Sequence, residues 1–403
     1  MAERVILFLY DTADRAAAGA VYQSEAADLG FRAVSADWRM IQPAPCGVVV
    51  VEGRETSPAG SFRRIVEEHV RPAVLVHRKP LWGQSEDLVS GIWHSDRPLC
   101  SFHPIWREIG DKWTFEACFQ KAERRGVTVP RPRTYLVEKQ DIGEVLAEAG
   151  RTRRLIFKPA AASLCEGILL SSPADFSSIV QAVVRSKWSR YVVQELENSL
   201  LYRERRFDLR VYALVTSFDP LRYKVMREGV VRLAAREPDP AAPTDPLTVL
   251  TGCSYRRRQG VSTENASISE LLVALQRGGL DTHAFWDDVE HLMTKVFMAL
   301  SCSGALAAPD GFSGRFYLAG MDIMMVASGD SYSLLFLETN YVPDLVGWGA
   351  EVDAQLRPAH RQWLAELAVL QADWASTDIG RSGTGAWRSW SRRRPRPLEK
   401  FQH

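Results

Sequence analysis

The chain has 403 residues, 46% of them hydrophobic and 25% charged, the composition of an ordinary globular protein rather than of a disordered or fibrous one. Lys and Arg number 50 against 49 Asp and Glu, so no global field draws the chain toward nucleic acid or a membrane surface. No apolar run reaches the roughly 18 residues that a membrane-spanning helix needs.

Six cysteines, at 46, 100, 118, 165, 253 and 302, form no C-x-x-C pair. That argues against a disulfide framework or a structural zinc and for a reducing, cytoplasmic setting.

From residue 4 to 95, "RVILFLY", "FRAVSA", "GVVVVEG" and "AVLVHRK" read as strands, and "ADRAAAGAVYQSEAADLG" and "SFRRIVEEHV" as helices between them. Continuous apolar strands alternating with helices predict a Rossmann-like α/β lobe with a parallel sheet. Its first strand has no G-x-G-x-x-G after it, so no nucleotide site is expected there.

Residues 96–197 form a second unit. "DKWTFEACFQKAERRG" is a helix closed by Gly126, "VTVPRPRTYLV" runs extended through Pro130 and Pro132, and "RLIFKPAAASLCEGILLSS" reads as strand, loop, strand. "SSIVQAVVRSK" is a helix and "RYVVQEL" a strand.

Residues 198–375 form a third. It opens on "RRFDLRVYALVTSF" and the strand paired with it, continues through the Pro-rich loop "REPDPAAPTDP" and two amphipathic helices, then two strands around "ASGD". A last helix starts at "PAHRQWLAEL". The tail 376–403, rich in Gly, Ser, Arg and Pro, has the composition of a disordered segment.

Four patterns could carry chemistry. Alternation along a strand places Phe207, Leu209 and Val211 on one face and Arg206, Asp208 and Arg210 on the other. That second face is either solvated or the polar floor of a cleft. Asp322 and Glu338 are equidistant from residue 330, inside the predicted turn, so a regular hairpin sets them opposite each other within about one residue of register, with Asn340 on the Glu338 face. Facing carboxylates repel unless a cation lies between them, and this oxygen set suits magnesium; a solvated outer face is the alternative. Lys158 ends a four-residue apolar strand, where a buried ammonium calls for an anion. Lys112 sits at a helix start, an anion-attracting position, although a surface lysine also fits it.

In chain order, "DKW", "IFKP", "YVVQELE" and the late "D…ExN" resemble the ATP-grasp superfamily. "LENSLLYRERRFDLRVYALVTSFDPLRYKVMREGVVRLAAREPD", "AGMDIMM" and "LLFLETN" resemble its tubulin-tyrosine ligase-like family. The resemblance implies an α/β and α+β chain with an ATP-grasp fold, using ATP and Mg2+. The implied reaction is an ATP-dependent ligation of a free amino acid to the carboxylate of an acidic protein or peptide, tubulin among the candidates, through an acyl phosphate. The enzyme is expected to be a monomer that needs neither nucleic acid nor membrane.

On that resemblance Lys112 and Lys158 match the phosphate lysines, and Gln194, Glu195 and Leu196 the hinge that presents backbone groups to adenine. Arg206 stands where the family has lysine, Asp208 orients neighbouring cations, Arg210 reaches the transferred phosphate, and Arg232 holds the acceptor or incoming amino acid. Asp322, Glu338 and Asn340 match the metal ligands. The loop after Lys158 departs from the family pattern. Only Ser163 and Gly167 are kept, while Ala161, Ala162, Leu164, Cys165 and Glu166 replace polar, basic and glycine positions, and Gly252 stands in place of an asparagine. Glu166 is expected to turn from the phosphates toward a cation, chiefly Arg206. These departures leave open a ligase for another peptide or a metabolite, and a non-catalytic partner-binding relative.

Overall fold

The computed structural model describes residues 111–162, 164–218, 221–262, 264–303, 316–340, 343 and 348–375, together with four strands before residue 101. Ser163, the "GVVVVEG" strand, both helices expected before residue 95 and the tail from Ser376 lie outside the described residues. The chain divides into two units, one built on Met1–Ser101 and the other on Phe102–Phe312 and Phe316–Gln362.

In the first unit β1 (Arg4–Tyr10), β2 (Phe31–Asp37), β3 (Val74–Val76) and β4 (Leu99–Cys100) form one parallel sheet in the order β2-β1-β3-β4. The largely apolar sequences of β1 and β3 predict the parallel arrangement. The two-residue β4 is too short to leave a periodic signal.

The second unit opens with helix α1 (Lys112–Glu123), whose first turn is capped by the Asp111 carboxylate accepting from the Thr114 N–H at 2.8 Å. A four-stranded antiparallel sheet follows, ordered β5-β8-β6-β7, from β5 (Thr134–Glu138), β6 (Leu155–Pro159), β7 (Leu169–Ser171) and β8 (Arg190–Glu195). Helices α2 (Ile142–Val145), α3 (Ala147–Thr152) and α4 (Phe176–Arg185) lie along it. Val137, Leu155, Phe157, Tyr191 and Val193 pack with Ile142, Leu146 and Val183 of this helical layer. By strand alternation Ile156, Lys158, Val192 and Gln194 are on the opposite face.

The larger sheet is ordered β12-β11-β10-β13-β14, with β9 (Leu201–Tyr202) paired to β10. Its strands are β10 (Arg205–Phe218), β11 (Leu221–Leu233), β12 (Asn265–Ser267), β13 (Tyr317–Ser328) and β14 (Ser331–Asn340). Between them come helices α5 (Pro246–Val249), α6 (Cys253–Arg258), α7 (Ile268–Arg277) and α8 (Phe285–Ser303). Leu209, Val211, Ile323, Met325 and Phe336 form one core with Leu271 of α7, Val289 and Val296 of α8, and Phe115 and Phe119 of α1.

A hydroxyl and a carboxylate organise the start of α7. Ser267 and Glu270 have capping-box spacing, with Ser267 Oγ accepting from the Glu270 N–H at 3.1 Å. Buried Glu228 accepts from the N–H groups of Gly229, Ile268 and Ser269 and from the Ser269 hydroxyl. An anion at the amino end of a helix is favoured by the aligned peptide dipoles.

The last helix, α9 (Ala350–Ala375), corrects the sequence reading, which starts it at Pro358. The helix begins eight residues earlier and carries Pro358 inside it, at the cost of one backbone hydrogen bond.

The two sheets of this unit are tied together locally. The Phe336 N–H donates to the Pro130 carbonyl at 2.8 Å, and Ile156 and Leu170 pack against Leu250, with Tyr255 of α6 at the edge.

Candidate active site

The alternation in β10 does not mark a solvated face. Phe207, Leu209 and Val211 enter the helix-covered core, and Arg206, Asp208 and Arg210 on the other face are also buried. Buried charges persist only when paired, and the antiparallel register supplies the partners. Asp208 lies opposite Arg232 on β11, and Arg210 opposite Asp322 on β13. Arg232 donates to both Asp208 oxygens, at 2.6 and 2.7 Å, and Arg210 to both Asp322 oxygens, at 2.5 and 3.2 Å. A further contact at 2.7 Å between Arg232 Nη2 and Asp322 Oδ2 joins the two pairs. Thr251 donates its hydroxyl to Asp208 Oδ2 at 2.5 Å, a contact that composition and spacing give no means of finding.

The result is a charge-balanced group of two arginines and two aspartates. Burial works to raise the Asp322 carboxyl, but the guanidiniums of Arg210 and Arg232 overcome it and hold the carboxyl down to about 2.

The row continues into β14, where Glu338 lies opposite Asp322. An irregularity in the ladder makes this possible. From Ser328↔Ser331 to Ile323↔Phe336 the register is regular, and then it shifts so that Asp322 meets Glu338 instead of Leu337. This extra residue is a β-bulge. Without it, Leu337 would stand opposite Asp322 and Glu338 would point to the other face. Asn340 lies opposite Gly320 and donates its amide N–H to Asp322 Oδ2 at 3.2 Å. A Cβ at Gly320 would sit 3.1 Å from Arg210 Cδ and 2.4 Å from Pro343, so a side chain there would displace the arginine.

Lys158 approaches from the smaller sheet. It donates to Gln194 Oε1 at 2.7 Å, and the Gln194 amide donates to Thr134 Oγ1 at 3.1 Å. Burial lowers the Lys158 ammonium's pKa, opposed first by the Glu338 carboxylate and assisted by Lys112. Lys158, Lys112 and Glu338 are therefore electrostatic neighbours. Lys112 donates to the Ala162 carbonyl at 2.6 Å, which sets it beside the loop that follows Lys158 rather than on an isolated surface.

The hinge residues separate by face. Gln194 shares the face of Lys158, whereas the Glu195 side chain turns to the helical side, accepting from the Tyr135 hydroxyl at 3.0 Å with Arg153 at 3.7 Å. The Leu196 N–H is donated to the Arg154 carbonyl at 2.8 Å. It is therefore engaged within the sheet and not held open for an adenine. Arg206 donates to the Glu197 carbonyl at 3.0 Å, and burial lowers its pKa. Trp348, unremarked in the sequence, has its ring centroid 5.8 Å from the Arg210 guanidinium carbon.

The family model of the tubulin-tyrosine ligase family matches residues 111–361, more than half of the chain and all of the residues just described. The chain belongs to this family. Among curated relatives, the human tubulin polyglutamylase TTLL5 is 29% identical over 206 residues, covering 47% of this chain and 15% of the relative. The human probable tubulin polyglutamylase TTLL2 is 30% identical over 200 residues, covering 47% and 31%. The Caenorhabditis briggsae tubulin polyglutamylase ttll-4 is 24% identical over 245 residues, covering 56% and 38%. The match spans well under half the length of each of these relatives.

Within this member of the tubulin-tyrosine ligase family, the unusual loop is held by contacts of its own. Glu166 turns outward, as expected, but pairs with Lys187 at 2.8 Å and not with Arg206. Lys187 is nearby in space because the loop returns alongside Trp188, whose indole nitrogen would lie 2.7 Å from a Cβ on Gly167. Leu164 and Cys165 take positive φ, 56° and 59°, as does Gly167 at 68°. Burial pushes the Cys165 thiol up, with Glu338 acting in the same direction and Arg232 against it.

The donor set suits a hard divalent cation only in part. Among the described residues no group of three or more His, Cys, Asp or Glu is placed to hold a metal ion. Asp322 and Glu338 do converge, since opposed residues of an antiparallel pair stand about 5 Å apart at Cβ. Glu338 is half-buried with no ion pair or hydrogen bond among the described residues, which leaves its oxygens free for a cation. Asp322 Oδ2 already receives three donors and Oδ1 one, so the Glu338 oxygens, Asp322 Oδ1 and the Asn340 amide oxygen are those best able to take one.

Proposed function

We propose that this chain is an ATP-dependent amino-acid ligase of ATP-grasp architecture, with its lobes at 96–197 and 198–375, which extends a protein carboxylate with an amino acid. The observation that carries the reading is the meeting of two unlike surfaces. Half-buried Lys158 and the buried Arg210 and Arg232 gather around a carboxylate, Glu338, that makes no ion pair or hydrogen bond among the described residues. Cations fixed in place beside an open carboxylate suit phosphoryl transfer, where positioning and charge stabilisation account for most of the rate.

In this reading Lys112 and Lys158 hold phosphate oxygens, Gln194 fixes the Lys158 ammonium, and Glu338 with Asp322 and Asn340 holds magnesium, which screens the phosphate charge when bound. Arg210 stabilises the transferred phosphoryl group. Arg232, anchored by Asp208, orients the acceptor or the incoming amino acid. The acceptor carboxylate takes the γ-phosphoryl of ATP, the amine then displaces phosphate from the acyl phosphate, and the products are an amide, ADP and phosphate. Gly167 and Arg206 border the nucleotide, and the hinge contributes carbonyl oxygens of Gln194 and Glu195 in preference to the Leu196 N–H.

Because the relatives named above are tubulin polyglutamylases, glutamate is the donor and an acidic tubulin tail the acceptor to be tried first. The test is mass spectrometry of tubulin after incubation with the protein, Mg-ATP and an equimolar mixture of amino acids. A ladder of added glutamyl masses that disappears with Glu338→Gln, in protein of unchanged circular dichroism, is the expected result. Full turnover by Glu338→Gln would remove that carboxylate from the mechanism.

A further inference from the structure

Two departures from the family pattern, 87 positions apart in sequence, touch in the fold. A Cβ built on Gly252 would lie 2.6 Å from Cys165 Sγ, closer than any real contact. Each residue is the locally unfavourable choice. Gly252 is the N-cap of α6 with φ −61°, ψ 118°, and it gives that helix no side-chain cap. Any residue adopts this conformation, and Asn or Ser there would cap the helix. Cys165 has φ 59°, a left-handed conformation that favours glycine. The backbone thus asks for a polar residue at 252 and a glycine at 165, and the chain has the reverse. What excludes a side chain at 252 is the sulfur.

The contact belongs to a larger seat. The Leu164 carbonyl accepts from Arg258 Nη2 at 2.6 Å, so the loop touches α6 at its first residue's cap and at its last residue. On the other side of the loop the Ala162 carbonyl is held by Lys112. The loop therefore bridges the smaller sheet and α6 beside Lys158, and Thr251, next to Gly252, is bonded to Asp208. The seat thus adjoins both the lysine end and the arginine end of the site.

We infer that Cys165 and Gly252 act as one steric pair that sets how closely the loop after Lys158 seats on α6, and so how tightly the site takes a nucleoside triphosphate. The second half of this statement rests on the nucleotide reading above; the first does not.

The test is a double-mutant cycle on Cys165→Gly and Gly252→Asn, read in two ways. Iodoacetamide alkylation of the Cys165 peptide, followed by mass spectrometry, reports the seat directly in the wild type and in Gly252→Asn. Titration with a fluorescent ATP analogue and Mg2+ reports the site in all four proteins. Gly252→Asn alone should unseat the loop, speeding alkylation and changing nucleotide affinity by about fivefold or more, the scale of coupling between residues in contact. In the Cys165→Gly background the same substitution should change affinity by less than about twofold. Equal factors in both backgrounds, or an unchanged alkylation rate, would overturn the pair. If Gly252→Asn does not fold, Gly252→Ala, which adds the Cβ alone, replaces it. Should the wild type bind no triphosphate, the nucleotide reading falls and the alkylation rates still decide the pair.

Discussion

Asp322→Asn is the substitution whose consequence follows most directly from the packing. It preserves shape and removes one negative charge from a buried group of two guanidiniums and two carboxylates. Among the described residues Asp322 is the one carboxylate paired with Arg210, which is 5% exposed, whereas Arg232 keeps Asp208. The variant therefore leaves one arginine buried without a counter-charge. Breaking a buried pair from one side costs about 3–5 kcal/mol, because the surviving charge has neither water nor a partner. Urea denaturation followed by circular dichroism measures it, and the midpoint should fall accordingly. Replacing Arg210 by Met as well removes the orphaned charge, so the double variant should recover about 2 kcal/mol or more relative to Asp322→Asn. A single-variant cost under about 1 kcal/mol would mean that Arg210 is not balanced by Asp322 and that the ion-pair row is not what stabilises this face.

Three further outcomes are expected. Asp322 has a folded pKa depressed from 3.8 to about 2, so its stabilisation is fully present above about pH 4 and is lost as pH falls through about 2; the stability gap between wild type and Asp322→Asn should narrow over that window. The two-residue turn between β9 and β10 has Arg203 and Glu204 at φ 49° and 61°, held by Arg203 pairing with Glu264 and Glu270. Glu204→Gly should therefore raise stability by about 1 kcal/mol through relief of the left-handed conformation, and a loss in urea midpoint would contradict that. Glu166→Arg should leave nucleotide affinity within about twofold of wild type, because Glu166 faces Lys187 at the surface; a marked tightening in the same titration would place Glu166 over the phosphates after all.

Much of the larger sheet is legible in the sequence because its signals are local. The β10 alternation and the ASGD turn specify which side chains share a face, and the three-residue apolar run Leu155–Phe157 before Lys158 marks a strand that ends at a polar site. The pairing of Asp322 with Glu338, by contrast, follows from counting outward from residue 330, while the hairpin itself turns at Gly329–Asp330. The two agree only through the bulge at Leu337, which no composition rule marks. Long-range partners were also out of reach. Nothing in the spacing selects Lys187 over Arg206 for Glu166, or places Thr251 on Asp208, since loop closure and not periodicity brings them together. The short α6 and β12 escaped notice because six and three residues are too few to show a period. The sequence does not show where α9 starts, because Pro358, a residue that usually opens a helix, sits within one here.

The central claim is that the cations meeting at Glu338 form a nucleoside triphosphate site, and Lys158 is the residue on which it turns. Titration of wild type and Lys158→Ala with an ATP analogue and Mg2+, by calorimetry, tests it most directly. A charge-assisted contact to phosphate contributes about 1.5–3 kcal/mol, so the variant should bind about 10- to 100-fold more weakly while keeping the wild-type circular dichroism. Equal affinity in the two proteins would contradict this site, leaving Lys158 a half-buried lysine held by Gln194 with no anion to bind.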